Sequence, residues 1–193
     1  RPRQEKRRMN TVPDADEAVE FEKYSTVWQN PKYRQKCHSL KLWTDHRDIF
    51  PDDFKTALDI GAGLGHWFAE MNDNGVDCWA IDLVENALDP QVAKEYGEKR
   101  IIGNIWKMEW RRGFNRGVCT DVMEHIPPQH VETALRKIHQ YCHVAIFTIA
   151  NYPSNSLGFE LHPTLRDENW WFYQMAAIGG TVDHLPIHNP DHH

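Results

Sequence analysis

A glycine-rich turn that follows a short apolar run constrains this chain more than any other feature. Residues 55–65 read Lys-Thr-Ala-Leu-Asp-Ile-Gly-Ala-Gly-Leu-Gly. The pattern predicts a strand that turns tightly into a helix, because glycine allows positive φ values and lets a ligand approach the backbone. Asp82 ends the next apolar run, 21 residues after Gly61. Since a carboxylate at that distance can accept both hydroxyls of a ribose, the two features together predict a nucleoside cofactor.

The spacing of the glycines distinguishes between classes of nucleoside cofactor. Gly61, Gly63 and Gly65 are each separated by one residue, which is tighter than the G-x-G-x-x-G pattern of dinucleotide sites. Asp59 stands two residues before the first glycine, where a carboxylate suits an ammonium or sulfonium group better than a pyrophosphate. The pattern therefore disfavours a dinucleotide oxidoreductase.

Four ordered segments resemble the class I S-adenosylmethionine-dependent methyltransferases. They read Leu-Asp-Ile-Gly-Ala-Gly-Leu-Gly at 58–65, Ala-Ile-Asp-Leu at 80–83, Gly-Asn-Ile-Trp at 103–106 and Cys-Thr-Asp-Val-Met-Glu-His-Ile-Pro-Pro at 119–128. The resemblance covers roughly residues 24–185. A further segment, Leu161–Arg166 followed by Trp170 and Trp171, is similar to a subgroup frequent in phage genomes whose substrates are mostly unassigned.

The resemblance and the alternation of apolar runs predict an α/β fold, a doubly wound, mostly parallel Rossmann-like methyltransferase sheet flanked by helices. The family usually has seven strands, and the pattern indicates six, at 55–60, 77–82, 100–103, 116–121, 143–150 and 181–187. A seventh is either absent or lies in the irregular stretch after residue 150. Helices are expected at 17–30, 33–43, 65–74, 91–97, 129–141 and 167–178. The domain is predicted to span 17–187, between a basic and acidic tail at 1–16 and a second tail at 188–193.

The resemblance assigns cofactor-binding roles to residues of these segments. Asp82 would hold the ribose, Leu83 and Ile105 would enclose the adenine, and Asp121 would receive the methionine ammonium group. Leu83 and Ile105 are equally well read as ordinary core residues. The remaining cofactor-binding candidates are Arg34, Asp59, Gly61, Gly63, Gly65 and Asn104. Arg34 would face the cofactor carboxylate or else form a surface ion pair, and Asn104 replaces a more usual Asp that faces the adenine amino group.

Candidates for the acceptor side are fewer. His125 follows the fourth predicted strand, and its unperturbed pKa near neutrality makes it the first candidate for a general base, although it can equally shape the pocket. His162 is a second catalytic candidate. Arg166 is expected to bind a phosphate or carboxylate of the acceptor, and Trp170 to stack on a flat substrate or close a lid.

Composition and charge narrow the possible binding partners and the cellular location. The net charge of −6 argues mildly against a surface that binds nucleic acid throughout, although residues 1–8 are basic. No apolar stretch reaches the length of a membrane span, so a cytoplasmic location is expected, in the host if the chain is phage-encoded. The terminal histidines at 184, 188, 192 and 193 are interrupted by prolines, and no metal site is predicted.

The sequence therefore predicts an enzyme that uses S-adenosylmethionine to methylate oxygen or nitrogen of a small or nucleotide-like acceptor by in-line transfer. Two alternatives remain open. One is a cofactor-binding but catalytically silent regulatory or assembly subunit. The other is a nucleic-acid-modifying methyltransferase that grips its substrate with the basic N-terminal arm. The oligomeric state is not predicted.

Overall fold

The computed structural model describes residues 15–35, 37–50 and 53–183. Its helices are α1 (Ala15–Val27), α2 (His38–Asp45), α3 (His66–Asp73), α4 (Pro90–Tyr96), α5 (Val131–Tyr141) and α6 (Glu168–Ala177). Its strands are β1 (Thr56–Ile60), β2 (Asp77–Asp82), β3 (Arg100–Ile102), β4 (Phe114–Thr120), β5 (Cys142–Thr148), β6 (Asn155–Ser156) and β7 (Phe159–Glu160). Residues 1–14 and most of the predicted C-terminal strand and tail, at 184–193, lie outside the described residues.

The main sheet confirms the predicted fold class. Strands β3, β2, β1, β4 and β5 lie in that order and every neighbouring pair is parallel. The chain builds outward from β1 to β3 and then returns to the other side of β1. This reversal between β1 and β4 is the point at which doubly wound sheets bind ligands, beyond the carboxyl ends of the strands.

The predicted number of strands was wrong. The main sheet has five strands in the described part of the chain, whereas the pattern indicated six and the family usually has seven. Residues 181–183, which begin the predicted sixth strand, form no strand and are mostly exposed. Their β propensity depends on packing against a half-buried surface, and here they follow the glycines that end α6 without pairing with β5.

The stretch after residue 150 contains a short hairpin rather than a seventh strand of the main sheet. β6 and β7 pair with each other in a separate antiparallel sheet. Leu157 and Gly158 join them with φ values of +52° and +83°, the left-handed conformation that tight hairpin turns require. The predicted helix over 33–43 also divides, into a 3₁₀ turn at Tyr33–Gln35 and α2.

The central strand β1 separates two hydrophobic clusters. Leu58 and Ile60 point into the cluster that includes the buried face of α5, and Ala57 points into the cluster formed with α2 and α3. This alternation follows from the two-residue period of a strand, and burial of a leucine side chain contributes about 2 kcal/mol. Both faces of β1 are thus anchored, which holds the glycine turn at its carboxyl end in place.

Candidate functional site

A cavity lies at the predicted edge of the sheet, beneath α1. It encloses about 640 Å³, including the part open to solvent, which is within the usual range for ligand pockets. Seven predicted site residues line it: Gly61, Asp82, Leu83, Asn104, Ile105, Asp121 and His125. The structure therefore brings together residues from the ends of four different strands.

The turn after β1 is held by Asp82. The Gly63 N–H donates to Asp82 Oδ2 at 2.8 Å, and the Val84 N–H donates to Oδ1 at 3.1 Å. Burial raises the pKa of the Asp82 carboxyl, and these two N–H groups oppose that effect. The carboxylate thus lies on the cavity wall, where it also shapes the glycine turn.

Gly61 lines the cavity, and its lack of a side chain is required by close packing. Its φ is +69°, and a Cβ there would lie 2.4 Å from Cγ2 of Val122. A Cβ at Gly65 would lie 2.2 Å from Leu88 Cδ1. The first glycine therefore keeps the cavity open, whereas the third permits close packing of the following segment.

The amide of Asn104 has one unsatisfied end. Its Oδ1 accepts the Lys107 N–H at 2.8 Å, which caps a 3₁₀ turn at Ile105–Lys107. Its Nδ2 is buried and has no hydrogen-bond partner. Because Asn104 lines the cavity, this NH₂ group is available to an acceptor atom of a ligand.

Asp59 and Arg34 do not line the cavity. Asp59 is fully buried, accepts the Ser39 hydroxyl at 3.2 Å, and has a pKa that burial raises to about 7 despite this bond. The guanidinium of Arg34 donates to the backbone oxygens of Trp28, Asn86 and Leu88. Arg34 thus ties the segment after α1 to the loop before α4, and the cofactor contacts expected of both residues stay predictions.

Asp121 leaves β4 in a left-handed conformation, with φ of +52°, which is uncommon for residues other than glycine and concentrates at functional sites. Its Oδ2 lies 2.6 Å from Nδ1 of His38, and its Oδ1 accepts the Thr148 hydroxyl at 3.3 Å. Burial would raise its pKa, but His38 and His125 lower it below its ordinary value. Asp121 is therefore a stable anion on the cavity wall.

His125 is held from two sides. Its Nδ1 lies 2.6 Å from the Tyr24 hydroxyl on α1, and its ring meets the ring of His162 edge-on, with the centroids 4.6 Å apart. Burial, and then His162, lower the pKa of His125 to about 3. The imidazole is consequently neutral near pH 7, and it is a much weaker base than the sequence alone led us to expect.

Glu124 and His162 each place a side-chain atom within 4.8 Å of His125. His162 is buried and its Nδ1–H donates to the Tyr152 carbonyl oxygen at 2.6 Å. Glu124 is fully buried; its Oε1 accepts the Ala150 N–H at 3.0 Å, and its Oε2 has no partner. Burial, and then Asp121, raise the pKa of Glu124 to about 8.

The two predicted acceptor-binding residues lie outside the cavity lining. Arg166 is exposed, with its guanidinium 5.5 Å from the Trp170 ring centroid. Trp170 is half-buried on α6, and its neighbour Trp171 is the one that enters the core. Their contacts with an acceptor stay predictions.

Sequence reasoning placed a helix over 17–30, and the structure has α1 there, with residues that line the cavity. It did not single out Glu20, Tyr24 and Trp28 of α1 and the following turn as lining residues. It also gave Glu124 no role of its own. The four-residue spacing of Tyr24 and Trp28 was the available signal for one helix face, whereas nothing in the spacing of Glu124 and His162 indicates that they meet.

Comparison with known proteins agrees with this geometry. A family model described as a methyltransferase domain matches residues 34–188. A search of curated proteins found no match. Within the described residues, no helix has the length and apolar character that a membrane crossing requires.

Several solved structures share the fold. The 1,6-didemethyltoxoflavin-N1-methyltransferase of Burkholderia thailandensis, with bound 1,6-didemethyltoxoflavin and S-adenosylhomocysteine, is 18% identical, with 88% of this chain and 81% of that chain covered and a TM-score of 0.63. The N-methyltransferase NodS of Bradyrhizobium japonicum, in complex with S-adenosylhomocysteine, is 14% identical, with coverage of 66% and 71% and a TM-score of 0.53. Phosphoethanolamine N-methyltransferase 2 of Haemonchus contortus, in complex with S-adenosylmethionine, is 17% identical, with coverage of 73% and 36% and a TM-score of 0.56.

Proposed function

This chain belongs to the class I S-adenosylmethionine-dependent methyltransferases, and we propose that it methylates an oxygen or nitrogen atom of a small or nucleotide-like acceptor by in-line transfer. The observation that carries the proposal is the single cavity that Asp82, Asn104, Asp121 and His125 line together. The first two suit a nucleoside, and the last two lie at the end of β4, toward which the methyl group would point.

The residues present fit the cofactor. S-adenosylmethionine supplies an electrophilic methyl group on a sulfonium centre. Asp82 would hold the ribose, Leu83 and Ile105 would enclose the adenine, and Asp121 would bind the ammonium group. The unpartnered NH₂ of Asn104 supports this assignment, because a buried donor without a partner costs free energy that a ligand acceptor atom would recover.

For the reaction itself, we propose that the protein acts mainly by orientation and by exclusion of water. α1 covers the cavity with Tyr24 and Trp28, which limits the access of water to the donor. His125 is neutral and weakly basic because its pKa is lowered to about 3. It would therefore shape the acceptor side of the cavity rather than take up a proton near pH 7.

The acceptor class is supported by two observations. The neighbours from Burkholderia thailandensis and Haemonchus contortus bear the names of small-molecule methyltransferases. A second observation is the likeness of Leu161–Arg166, Trp170 and Trp171 to a phage-associated subgroup, which supports a nucleotide-like acceptor. We also propose a cytoplasmic location, in the host cell if the chain is phage-encoded. The nucleic-acid alternative depends on residues 1–8, which lie outside the described residues, and membership in an enzyme family argues against a silent subunit.

Calorimetric titration of the purified protein with S-adenosylmethionine, S-adenosylhomocysteine and NAD tests the cofactor assignment. We expect binding of the two adenosyl ligands and none of NAD. A panel of hydroxyl-, amine- and nucleotide-containing acceptors with a labelled methyl donor then tests transfer. Absence of binding by both adenosyl ligands would contradict the assignment of the cavity, and binding without transfer to any acceptor would favour the silent-subunit alternative.

A further inference from the structure

Three metal-ligating side chains converge at the end of β4. Glu124, His125 and His162 each present one ligand atom, and these atoms all lie within 4.8 Å of one another. Glu124 and His125 are adjacent in sequence, but His162 is 37 residues away along the chain. The cluster is therefore a product of the tertiary fold.

An unpartnered oxygen points to a ligand for this cluster. Glu124 is fully buried, and only one of its two carboxylate oxygens has a partner, the Ala150 N–H. The other, Oε2, is buried without any hydrogen bond. An isolated carboxylate oxygen in such surroundings is costly unless it is protonated, paired or bound to a metal.

The two imidazole rings are oriented as metal ligands usually are. Nδ1 of His162 donates to the Tyr152 carbonyl oxygen at 2.6 Å, which leaves Nε2 with the free lone pair. Nδ1 of His125 lies 2.6 Å from the Tyr24 hydroxyl, which also donates to the Leu161 carbonyl oxygen at 3.4 Å, so that Nε2 carries the free lone pair when Nδ1–H donates to Tyr24. A hydrogen bond at one ring nitrogen that fixes the tautomer and presents the other is the usual support of a metal-bound histidine.

We propose that Glu124, His125 and His162 form a binding site for one divalent first-row transition-metal ion. Two imidazoles and one carboxylate suit Zn²⁺, Fe²⁺, Mn²⁺ or Co²⁺ better than Mg²⁺, which prefers oxygen ligands only. Metal–ligand bonds of about 2.0–2.2 Å require the three donor atoms to draw closer together than the 4.8 Å within which they now lie.

The site has a consequence for the acceptor that rests on the proposed function, although the metal site itself does not. Three protein ligands leave at least one coordination position open. Because His125 lines the cavity, that position faces the place expected for the acceptor. A hydroxyl oxygen of the acceptor bound there keeps a lone pair for the methyl group, whereas an amine would give its single lone pair to the metal, which favours a hydroxyl-bearing compound.

The test is a calorimetric titration of the full chain with Co²⁺ after chelator treatment, with the absorption of the bound ion recorded in parallel. Two variants remove a ligand and keep its local hydrogen bond. Glu124→Gln retains an oxygen for the Ala150 N–H, and His162→Asn retains an N–H for the Tyr152 carbonyl oxygen. His139→Asn, at an exposed position on α5, is the matched control, and denaturation curves check that each variant folds.

We expect one Co²⁺ per chain in the wild type and in His139→Asn, with binding weakened by at least about 10-fold in each ligand variant. Mg²⁺ should not compete. The ligand variants are needed because the chain carries further histidines at 184, 188, 192 and 193, which could also bind Co²⁺. Only binding that is lost in the ligand variants reports on the cluster. A folded Glu124→Gln or His162→Asn variant that binds Co²⁺ as tightly as the wild type would overturn the site. Since no adenosyl ligand is added, this outcome is separate from failure of the proposed reaction.

Discussion

The half of the cavity proposed to bind the cofactor (the cofactor half) and the half proposed to bind the acceptor (the acceptor half) are built in different ways. On the cofactor half, Asp82 accepts the N–H groups of Gly63 and Val84, which are 19 and 2 residues away. On the acceptor half, His125 pairs with Tyr24, 101 residues away, and packs against His162. The first half is made by turns at the ends of neighbouring parallel strands, and the second by contacts between distant parts of the chain.

This difference shows which part of a site can be predicted from a short sequence motif. A glycine turn and an acid at the next strand end have their geometry set by nearby backbone. The acceptor half depends on how α1 and the segment after β5 fold back over β4. The same difference predicts that changes on the cofactor half disturb both folding and binding, whereas changes on the acceptor half alter protonation and metal binding.

The largest expected effect is on the cofactor half, at Gly61. A Cβ there would lie 2.4 Å from Val122 Cγ2, whereas Gly75, also with positive φ, has nothing within 4 Å of a Cβ. Gly75→Ala should lower the free energy of unfolding by about 1–2 kcal/mol through backbone strain alone. Gly61→Ala should lower the free energy of unfolding by roughly a further 1–3 kcal/mol, because the added methyl group overpacks the turn. The Gly61→Ala protein should also fail to bind the cofactor.

Chemical denaturation of both variants measures the difference, and titration with S-adenosylhomocysteine measures binding. Gly75→Ala should bind like the wild type, because Gly75 does not line the cavity. Equal stability of the two variants would show that Val122 moves aside without cost, and that the turn is less rigid than its packing indicates.

Asp82→Ala should have the next largest effect. It removes a carboxylate from the cavity wall together with two backbone hydrogen bonds. We expect affinity for S-adenosylmethionine to fall more than about tenfold, which corresponds to about 1.4 kcal/mol. Asp82→Asn keeps one acceptor oxygen, so its affinity for S-adenosylmethionine should lie between those of the wild type and Asp82→Ala. Asp45→Ala on the exposed face of α2 is the control, and near-normal affinity in folded Asp82→Ala would show that the ribose binds elsewhere.

The cofactor half was therefore largely predictable from sequence. Asp82, Leu83, Asn104 and Ile105 all line the cavity, as does Gly61, because each follows directly from the end of a parallel strand. Residues whose expected role depended on a side-chain direction were less predictable. Asp59 is two residues before Gly61, but the two-residue period of β1 turns it into the interior, toward Ser39.

The acceptor half shows what a sequence pattern omits. His125 was named from its position and its ordinary pKa, but burial and His162, which sequence spacing does not reveal, lower that pKa to about 3. The sixth strand was predicted from the apolar pattern at 181–187, of which the structure describes only 181–183, and such a pattern does not show whether an edge is available for pairing. In both cases the missing information is a contact between distant residues.

The smallest expected effect concerns the pH dependence of stability, and it isolates the acceptor half. Burial and Asp121 raise the pKa of Glu124 from 4.5 to about 8. Between these values the folded protein keeps a proton that the unfolded chain releases, so this group's contribution to stability is lost as the pH rises. The slope is at most about 1.4 kcal/mol per pH unit. The pKa of His125 is lowered from 6.5 to about 3. Its effect on the pH dependence of stability therefore has the opposite sign, and it is confined to pH values below about 6.5, the pKa in the unfolded chain.

Glu124→Gln removes this titration and keeps the hydrogen bond to the Ala150 N–H. Its stability relative to the wild type should therefore increase by about 1 kcal/mol as the pH rises between about 6.5 and 7.5, above the range in which His125 contributes. Denaturation curves measured with a chelator present keep metal from the cluster, and any slope from Asp59 is common to both proteins. Glu132→Gln, at an exposed position on α5, should follow the wild type. A constant difference between Glu124→Gln and the wild type across this range would mean that Glu124 is already ionised in the folded protein, which requires a partner for Oε2 that the chelator does not remove.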